Sequence, residues 1–523
     1  MHVRFYLATL AVLGACANGI PEDDALVASL EGGSPDDRVP GCESGPASPN
    51  DPIDSEFKDE NCDGIDGVAA QCVFVSASGT DSPSAGTRAA PVRTIAHAIS
   101  LAAAAHKDVC LAAETFNEPV ELAPGVSIYG GFDRSDASFP WKRKPSTPTT
   151  IAAKGTVVLA KSIDRDTHVE GLTLHATTPD PPNAGASTYG VRLVGGSATL
   201  FVRYNTITTD NAQPGADGKS GDKGANGTGG ATGSAGCSHC SSIEPQGGSL
   251  GGAPVTSTCG GGTSGAGGQG GWDQSGGATG GAGTGSGSQG GGGGSGNATC
   301  VVSSGGGGGK GGTPTSLGTA GAPGTAGPAA GGVSADGAYV PPAGGAGGKG
   351  GAGFAGGGGG GGGGGSNGGL CYGDRGGGGG SGGTGGCGGS GGAGGQGGGG
   401  SFGVFARAGK VTVAQCTFKI GAGGAGGPGG QGGGGGGGGP GGGGGSSGDE
   451  SGGGGSGGGG STGGAGGRGG GGAGGPSVCV AAPSGVTLDQ SSASTCTFGA
   501  GGAGGTGGVN GPAGFNGASL TLP

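Results

Sequence analysis

The sequence predicts an all-β solenoid that carries long glycine-rich insertions, and three observations support this fold class. Residues 189–207, 402–418 and 478–498 share one pattern, in which an apolar start is followed by a middle strand and an x-Thr-apolar finish. Glycine supplies 158 of the 523 residues, so the chain cannot bury a conventional core along its whole length. Between the three stretches glycine recurs at every third position. We therefore expect the stretches to be successive rungs and the glycine tracts to be insertions between them.

The first fifteen residues have the pattern of a signal peptide. A weakly positive head precedes the apolar run FYLATLAVLGA, which is too short to span a bilayer. The run ends in LGAC and resembles the bacterial lipobox, which implies that Cys16 is lipidated and becomes the new N-terminus. Ala17 stands where an Asp would retain such a protein on the inner membrane, so the resemblance favours the outer membrane. The alternative is an ordinary signal peptide that contains a cysteine.

Residues 16–58 predict a flexible tether, because they are rich in Pro, Asp, Glu and Ser and poor in large apolar residues. Residues 59–70 then form an acidic motif. Its oxygen-bearing residues at positions 1, 3 and 5, followed by Gly64, match the first half of a calcium loop, although Ala70 replaces the glutamate of position 12. The candidate calcium ligands are Asp59, Asn61, Asp63 and Asp66. The alternative is a solvated acidic turn held by a disulfide of Cys62.

From residue 71 the pattern becomes that of a folded domain. Residues 72–75 predict a strand, and a helix is expected from Pro91, with Ile95, Ile99 and Ala102 on one face. Further strands are predicted at 108–112, 120–122, 126–129, 149–152, 157–160 and 172–175. The motifs GTRAAPVRTIAHAI and PGVSIYGGF within residues 71–207 resemble the opening of pectin-lyase-like proteins. The resemblance implies a right-handed parallel β-helix with an N-terminal capping helix, and it says little about activity.

The glycine tracts cover about residues 208–401, 419–477 and 499–523, and a final strand is predicted at 519–522. If the rungs are equivalent, all three tracts leave the solenoid at the same corner. Glycine occupies every third position over 215–236 and 499–517, and a bundle of polyglycine-II-like helices formed by one chain fits this period better than collagen does, because proline is sparse. The sequence leaves open whether the tracts are ordered in this way. The alternative is that the tracts are flexible; the period drifts in many places, and the ten glycines of 356–365 favour flexibility locally.

The chain has fourteen cysteines, and lipidation of Cys16 would leave an odd number. In an exported protein such cysteines favour disulfides. We expect three pairs, which are Cys72 with Cys110, Cys371 with Cys387, and Cys237 with Cys240. A redox or metal site at Cys237 and Cys240 is the alternative, but no second pair lies at zinc spacing.

Catalytic motifs are not evident. The paired aspartates and the Gly-His-Gly of polygalacturonase-like enzymes do not occur in the solenoid stretch, and residues 164–170 (DRDTHVE) favour a solvated turn over a metal or acid–base site. The net charge of −11 makes nucleic acid an unsuitable partner.

In composition the chain resembles the PGRS-type glycine-rich exported proteins. We expect a non-enzymatic lipoprotein of the cell surface or outer membrane with a structural, adhesive or shielding role. Its partners would be the membrane, through the lipid anchor, and a surface polysaccharide or protein. The alternative is a polysaccharide-active enzyme or carbohydrate-binding module of the pectin-lyase-like fold.

Overall fold

The structure of the chain is a computed structural model. It describes residues 51–135, 141–144, 146–180, 184–240, 248–298, 305–366, 373–483, 487–490 and 493–522. The predicted signal peptide, the lipidation site Cys16, most of the tether and Cys371 lie outside these residues. No helix in the described part of the chain is both long and apolar enough to cross a membrane.

The described residues contain one α-helix, one short 3₁₀ helix and 22 strands. The 3₁₀ helix is Ala69–Gln71, and helix α1 is Ile95–Ala105. The strands are β1 Cys72–Val75, β2 Asp108–Ala112, β3 Thr115–Phe116, β4 Val120–Leu122, β5 Ile128–Asp133, β6 Lys142–Arg143, β7 Thr149–Lys154, β8 Thr156–Ala160, β9 Thr167–Glu170, β10 Leu172–Thr177, β11 Thr188–Leu193, β12 Thr199–Arg203, β13 Thr206–Thr209, β14 Gly332–Val333, β15 Tyr339–Val340, β16 Ser401–Ala406, β17 Lys410–Ala414, β18 Thr417–Ile420, β19 Ser477–Pro483, β20 Thr487–Gln490, β21 Thr495–Phe498 and β22 Asn516–Leu522.

Three long sheets wind around one axis as a right-handed parallel β-helix, as predicted. The first sheet has the order β1-β2-β5-β9-β12-β17-β20, with the antiparallel strand β6 at its side. The second is β3-β7-β10-β13-β18-β21, and the third is β4-β8-β11-β16-β19-β22. Each full coil therefore gives one strand to each sheet, and the ladders between coils are parallel.

Alternating side chains fill the interior of the β-helix. In β12, for example, Leu200 and Val202 are fully buried, whereas Phe201 and Arg203 face outward. The same alternation in the other strands assembles one continuous core of Val, Ile, Leu and Ala. This core is the reason for the period-two pattern of the rungs, because successive side chains of a strand point to opposite faces.

Helix α1 packs against the first strands and covers the N-terminal end of the solenoid. It begins at Ile95, later than predicted, because Thr94 is its N-cap and the hydroxyl accepts a hydrogen bond from the His97 N–H at 3.2 Å. Pro91 precedes the cap and is not in the first turn. The expected apolar face is correct, since Ile95, Ile99 and Ala102 are all buried.

All three glycine tracts leave the β-helix at one corner, between the second and third sheets. In an early coil only Gly155 separates β7 from β8, and in the next coil residues 178–187 join β10 to β11. The three later coils extend the same connection into residues 210–400, 421–476 and 499–515. The ladders β13-β18-β21 and β16-β19-β22 hold the exits and the returns in register. The tracts are therefore insertions in a single solenoid.

Outside this corner the tracts form one ordered structure, which we call the glycine bundle. It comprises residues 211–236, 248–298, 305–327, 342–366, 373–399, 421–475 and 499–515. Neighbouring segments are joined by backbone hydrogen bonds at every third residue: Gly215 donates to Ala425, Gly218 to Pro428, and the series continues to Gly236 and Ser446. This spacing is that of polyglycine II helices, which have three residues per turn and no internal hydrogen bonds.

The ten glycines of residues 356–365 lie at the centre of the bundle, so the sequence signal for local flexibility there is wrong. Gly356, Gly357 and Gly358 donate hydrogen bonds to three different segments, at Gly383, Gly312 and Gly281. A Cβ on the same three glycines would meet three further segments, at about 2 Å from backbone oxygens of residues 458, 289 and 266. Six neighbours surround this segment, and every position must therefore be glycine. Peripheral segments have fewer neighbours and need glycine only at the contacting positions, which explains the drift of the period.

Candidate functional site

The N-terminal segment, residues 51–68, packs on the outer face of the first sheet. Its principal attachment is a buried ion pair, in which Arg143 Nη1 lies 2.8 Å from Asp66 Oδ2 and both side chains are almost fully buried. Arg143 also donates to the carbonyl oxygens of Asp54 and Gly130. The sequence spacing placed Asp66 among the calcium ligands, but its carboxylate is directed to Arg143 instead.

The acidic motif forms a tight turn built on backbone hydrogen bonds. The Asp59 carboxylate accepts from the N–H groups of Asp63 and Gly64, at 3.0 and 2.8 Å. The Asn61 side-chain oxygen accepts from the Asp63 N–H at 2.8 Å, and the Asp63 carboxylate accepts from Ile65 and Ala69. Cys62 is disulfide-bonded, as the alternative of an acidic turn required. The predicted residues Asp59, Asn61 and Asp63 are thus brought together.

Asp51 is the residue that sequence reasoning missed in this region. It is only 5 % exposed, and neither of its carboxylate oxygens has a hydrogen-bond partner. Burial, together with the nearby carboxylates of Asp66 and Asp59, raises the pKa of the Asp51 carboxyl to about 6. The backbone N–H groups of Gly67 and Asn61 approach the carboxylate and offset part of this rise. No sequence pattern marks this residue, because it lies outside the motif.

A cavity of about 430 Å³ opens between the N-terminal segment and the first sheet. The sheet contributes Asp108, Tyr129, His168 and Arg203, and Asp51 lies on the opposite wall. These outward side chains come from β2, β5, β9 and β12, which are neighbours in the sheet although they are far apart in sequence.

A buried carboxylate organises one wall of this cavity. Glu170 is 1 % exposed, and its Oε1 accepts a hydrogen bond from Arg203 at 2.7 Å. His168 Nδ1 lies 2.7 Å from the same oxygen and 2.9 Å from Arg203 Nη2, so it can donate to the first or accept from the second, but not both. Of the predicted solvated turn, only residues 164–166 are exposed, because Thr167–Glu170 form strand β9.

Aromatic rings extend along the same face. The His168 ring stacks on Phe201 at 4.6 Å between centroids and lies 6.2 Å from Tyr129. Burial raises the pKa of Asp108, whose carboxylate accepts a hydrogen bond from the Ser127 N–H. The arrangement offers rings and hydrogen-bonding groups to a polar ligand. Both Glu170 and Asp108 already accept hydrogen bonds from the protein.

The disulfides of the structure agree with two of the three predicted pairs. Cys72 bonds to Cys110 and Cys237 bonds to Cys240. The predicted pair of Cys371 with Cys387 is wrong, because Cys387 bonds to Cys259 across 128 residues of sequence. Folding of the glycine tract brings these two cysteines together, and spacing along the chain does not reveal it. A further disulfide, Cys479–Cys496, joins β19 to β21.

The glycine bundle ends, away from the solenoid, in a cluster of larger side chains that we call the distal tip. The Arg375 guanidinium lies over the Trp272 ring at 5.2 Å. The buried Asp374 carboxylate accepts hydrogen bonds from the N–H groups of His239 and Glu450, at 2.8 and 2.9 Å. The disulfide Cys237–Cys240 lies at the same end, where Cys237 pairs with Arg375 in a backbone bridge. These contacts join several segments at the tip.

Comparison with known families gives one match. Residues 77–244 match the model of a family described as proteins of unknown function, DUF1565. That family is associated with pectin-lyase-like β-helix proteins, in agreement with the observed fold. No curated protein and no solved structure matches the chain. The match and the fold together indicate a surface or carbohydrate-related protein.

Proposed function

We propose that the protein is a non-enzymatic, exported surface protein, anchored through lipid at Cys16, whose glycine bundle is a rigid contact element. The observation that carries the proposal is that all three glycine tracts leave one corner and merge into a single hydrogen-bonded bundle. Backbone groups that glycine cannot shield are paired between segments, so the bundle is held as a defined shape.

The dimensions of the bundle suit contact at a distance from the anchoring membrane. The segment from Gly376 to Gly399 runs the whole length of the bundle, and at about 3.1 Å per residue it spans about 75 Å. The distal tip bears Trp272 and Arg375, residue types that dominate protein contact surfaces. We therefore assign recognition of a surface polysaccharide or protein on a neighbouring cell to the distal tip.

The test is adhesion of beads coated with the full chain to cells of the producing strain and to its extracted matrix polysaccharide. Trp272→Ala is expected to weaken adhesion at least about tenfold, as removal of a central aromatic contact does. Lys219→Ala is the control, because Lys219 is exposed on the side of the bundle. Equal adhesion of the two variants would overturn the assignment to the tip. Release of reducing sugars from the polysaccharide would contradict the non-enzymatic role.

The lipid anchor has its own test. Cys16→Ala is expected to move the exported protein from the membrane fraction to the soluble fraction, because two or three acyl chains hold a protein at a membrane and none remain in the variant. Membrane retention of this variant would contradict anchoring at Cys16.

The second candidate is carbohydrate binding at the cavity of the first sheet. It is favoured by the outward row of Tyr129, His168 and Phe201, because rings and nearby polar groups commonly hold sugar units. Affinity electrophoresis in polysaccharide-containing gels distinguishes the two sites. His168→Ala would abolish retardation if the cavity binds the polymer, whereas Trp272→Ala would abolish it if the distal tip does.

A further inference from the structure

The last segment of the glycine bundle covers only part of the groove in which it lies. Residues 499–508 pack between the segments of residues 421–446 and 452–475, accepting hydrogen bonds from N–H groups of the first and donating to carbonyl oxygens of the second. The donor and acceptor pairs are Gly423 and Ala500, Gly426 and Ala503, Gly429 and Thr506, Gly502 and Gly475, Gly505 and Gly472, and Gly508 and Gly469. The chain then turns back at residues 507–510, whereas both flanking segments continue towards the distal tip.

Beyond this turn the two flanking segments form what we call the open groove. Every third residue of a polyglycine II helix faces the same way, so the pattern of donors and acceptors continues along the groove. The donor row consists of the N–H groups of Gly432, Gly435, Gly438, Gly441 and Gly444, and the acceptor row consists of the carbonyl oxygens of Gly466, Gly463, Gly460, Gly457 and Gly454. No described residue forms a hydrogen bond with a group of either row. At three residues per turn the donor row is about 37 Å long.

Solvent exposure agrees with an open groove. Gly426 and Gly429, which lie beneath residues 499–508, are buried, whereas every residue of the donor row is partly exposed. In the acceptor row only Gly463 is buried. Arg468 lies at the boundary, where it donates to Thr506 Oγ1 at 3.3 Å and to the Gly429 carbonyl oxygen at 3.4 Å. Both rows consist of glycine alone, so their backbone groups are accessible to a further strand.

The strand in the covered part defines what the open groove can bind. A Cβ on Gly502 would lie 1.9 Å from the carbonyl oxygen of Gly424, and a Cβ on Gly505 would lie 2.0 Å from that of Gly427. The donating residues of the strand must therefore be glycine. The residue after the donor can be larger, since Ala503 is exposed. An occupant consequently needs glycine at every third residue and tolerates other residues between.

The groove suits a polypeptide better than a polysaccharide. Residues 430–446 and 452–467 contain no aromatic and no charged side chain, although rings are the usual support of a sugar unit. Parallel rows of N–H and C=O groups are instead what an added peptide strand pairs with. We propose that the open groove binds an extended segment of a separate polypeptide with glycine at every third residue. This inference does not rest on the proposed surface role or on recognition at the distal tip.

The first experiment measures binding of a fluorescent peptide of five Gly-Pro-Ser repeats to the unaltered full chain, so no variant has to fold. Proline suits the position after the glycine, because the N–H of Ala503 donates no backbone hydrogen bond to a described residue, and it favours the extended helix. We expect saturable binding by fluorescence anisotropy. Five Ala-Pro-Ser repeats are the matched control and should bind at least about tenfold more weakly, since each added Cβ would meet a carbonyl oxygen. Absence of saturable binding, or equal binding of the two peptides, would overturn the proposal.

Amide hydrogen exchange then locates the bound peptide. The amides of Gly435 and Gly438 should exchange at least about tenfold more slowly with the glycine peptide, because new hydrogen bonds must open first. Those of Gly436 and Gly439 already donate to a neighbouring segment and should not change. Unchanged exchange of the donor row would contradict the proposal, as would protection by matrix polysaccharide and not by the peptide. Protection that appears without peptide and rises with protein concentration would also overturn it, because a second copy would then be the occupant.

Discussion

The β-helix and the glycine bundle belong to one chain but bury different parts of it. In the β-helix, side chains such as Leu200 and Val404 fill the interior, and backbone groups pair between coils. In the bundle the backbone itself is the interior, and a side chain at a contact position would overlap a neighbouring carbonyl oxygen. A glycine tract can therefore be a packed structure, provided that enough neighbouring segments satisfy its hydrogen bonds. Opposite substitutions should accordingly damage the two regions.

The largest effect is expected from removal of a side chain on the third sheet. Phe402 is fully buried, and its ring packs against Tyr189 at 5.4 Å and Phe405 at 4.8 Å. Phe402→Ala should lower the free energy of unfolding by about 3–5 kcal/mol, because burial is lost and a cavity is left. Phe498→Ala is the control, since Phe498 is 41 % exposed, and should change stability by about 0.5 kcal/mol or less. Similar unfolding curves for the two variants, measured by denaturant titration, would contradict side-chain packing as the basis of this region.

In the bundle the damaging change is the addition of a side chain. A Cβ at Gly360 would lie 2.0 Å from the Gly292 carbonyl oxygen, so Gly360→Ala should destabilise the bundle by about 3 kcal/mol. A Cβ at Gly434 would meet no atom within 4 Å. Gly434→Ala should therefore be neutral or stabilise by about 0.4–1 kcal/mol, through the loss of freedom in the unfolded chain. Amide hydrogen exchange over 356–365 measures the difference, and equal exchange in the two variants would mean that the bundle is loosely packed.

The last prediction concerns the reactivity of Cys416, and it probes the solenoid interior without a change in packing. This free thiol is buried in the core of the β-helix, and burial raises its pKa to about 11. Because the thiolate is the reactive form, the shift from 9.0 alone should slow alkylation at pH 8 about 100-fold relative to a thiol of ordinary pKa. Moving the thiol one position, with Cys416→Ser and Thr417→Cys, should restore rapid labelling, since Thr417 is exposed. Peptide mapping after alkylation measures labelling in the wild type and in this double variant, and fast labelling of native Cys416 would show that the core opens readily.

Much of the architecture was predictable from residue patterns. The period of two in the rungs predicted half-buried strands, and the recurring x-Thr-apolar finish predicted equivalent coils with a common exit corner. Both patterns are local consequences of strand geometry, and the ladders β13-β18-β21 and β16-β19-β22 confirm them. The start of helix α1 was misplaced because Thr94, and not Pro91, supplies the cap. The pairing of Cys72 with Cys110 was also anticipated, since β1 and β2 are neighbouring strands.

The candidate sites were less predictable. The motif marked Asp59, Asn61 and Asp63, whose hydrogen bonds are local. It gave no indication of Asp51, or of the engagement of Asp66 by Arg143, 77 residues away. The cavity residues Asp108, Tyr129 and Arg203 are single residues on separate strands, and only the stacking of coils makes them neighbours.

The strand period, the three insertions and the three-residue glycine repeat can be read from the sequence alone, because each follows from the geometry of one segment of chain. The tertiary structure decided how many neighbours each glycine segment has. That number separates a peripheral segment such as 215–236, with glycine at every third position, from the all-glycine centre at 356–365. It also decided the pairing of Cys259 with Cys387. The physical reason is that contacts between distant segments depend on the path of the chain through the bundle, and a local pattern cannot encode that path.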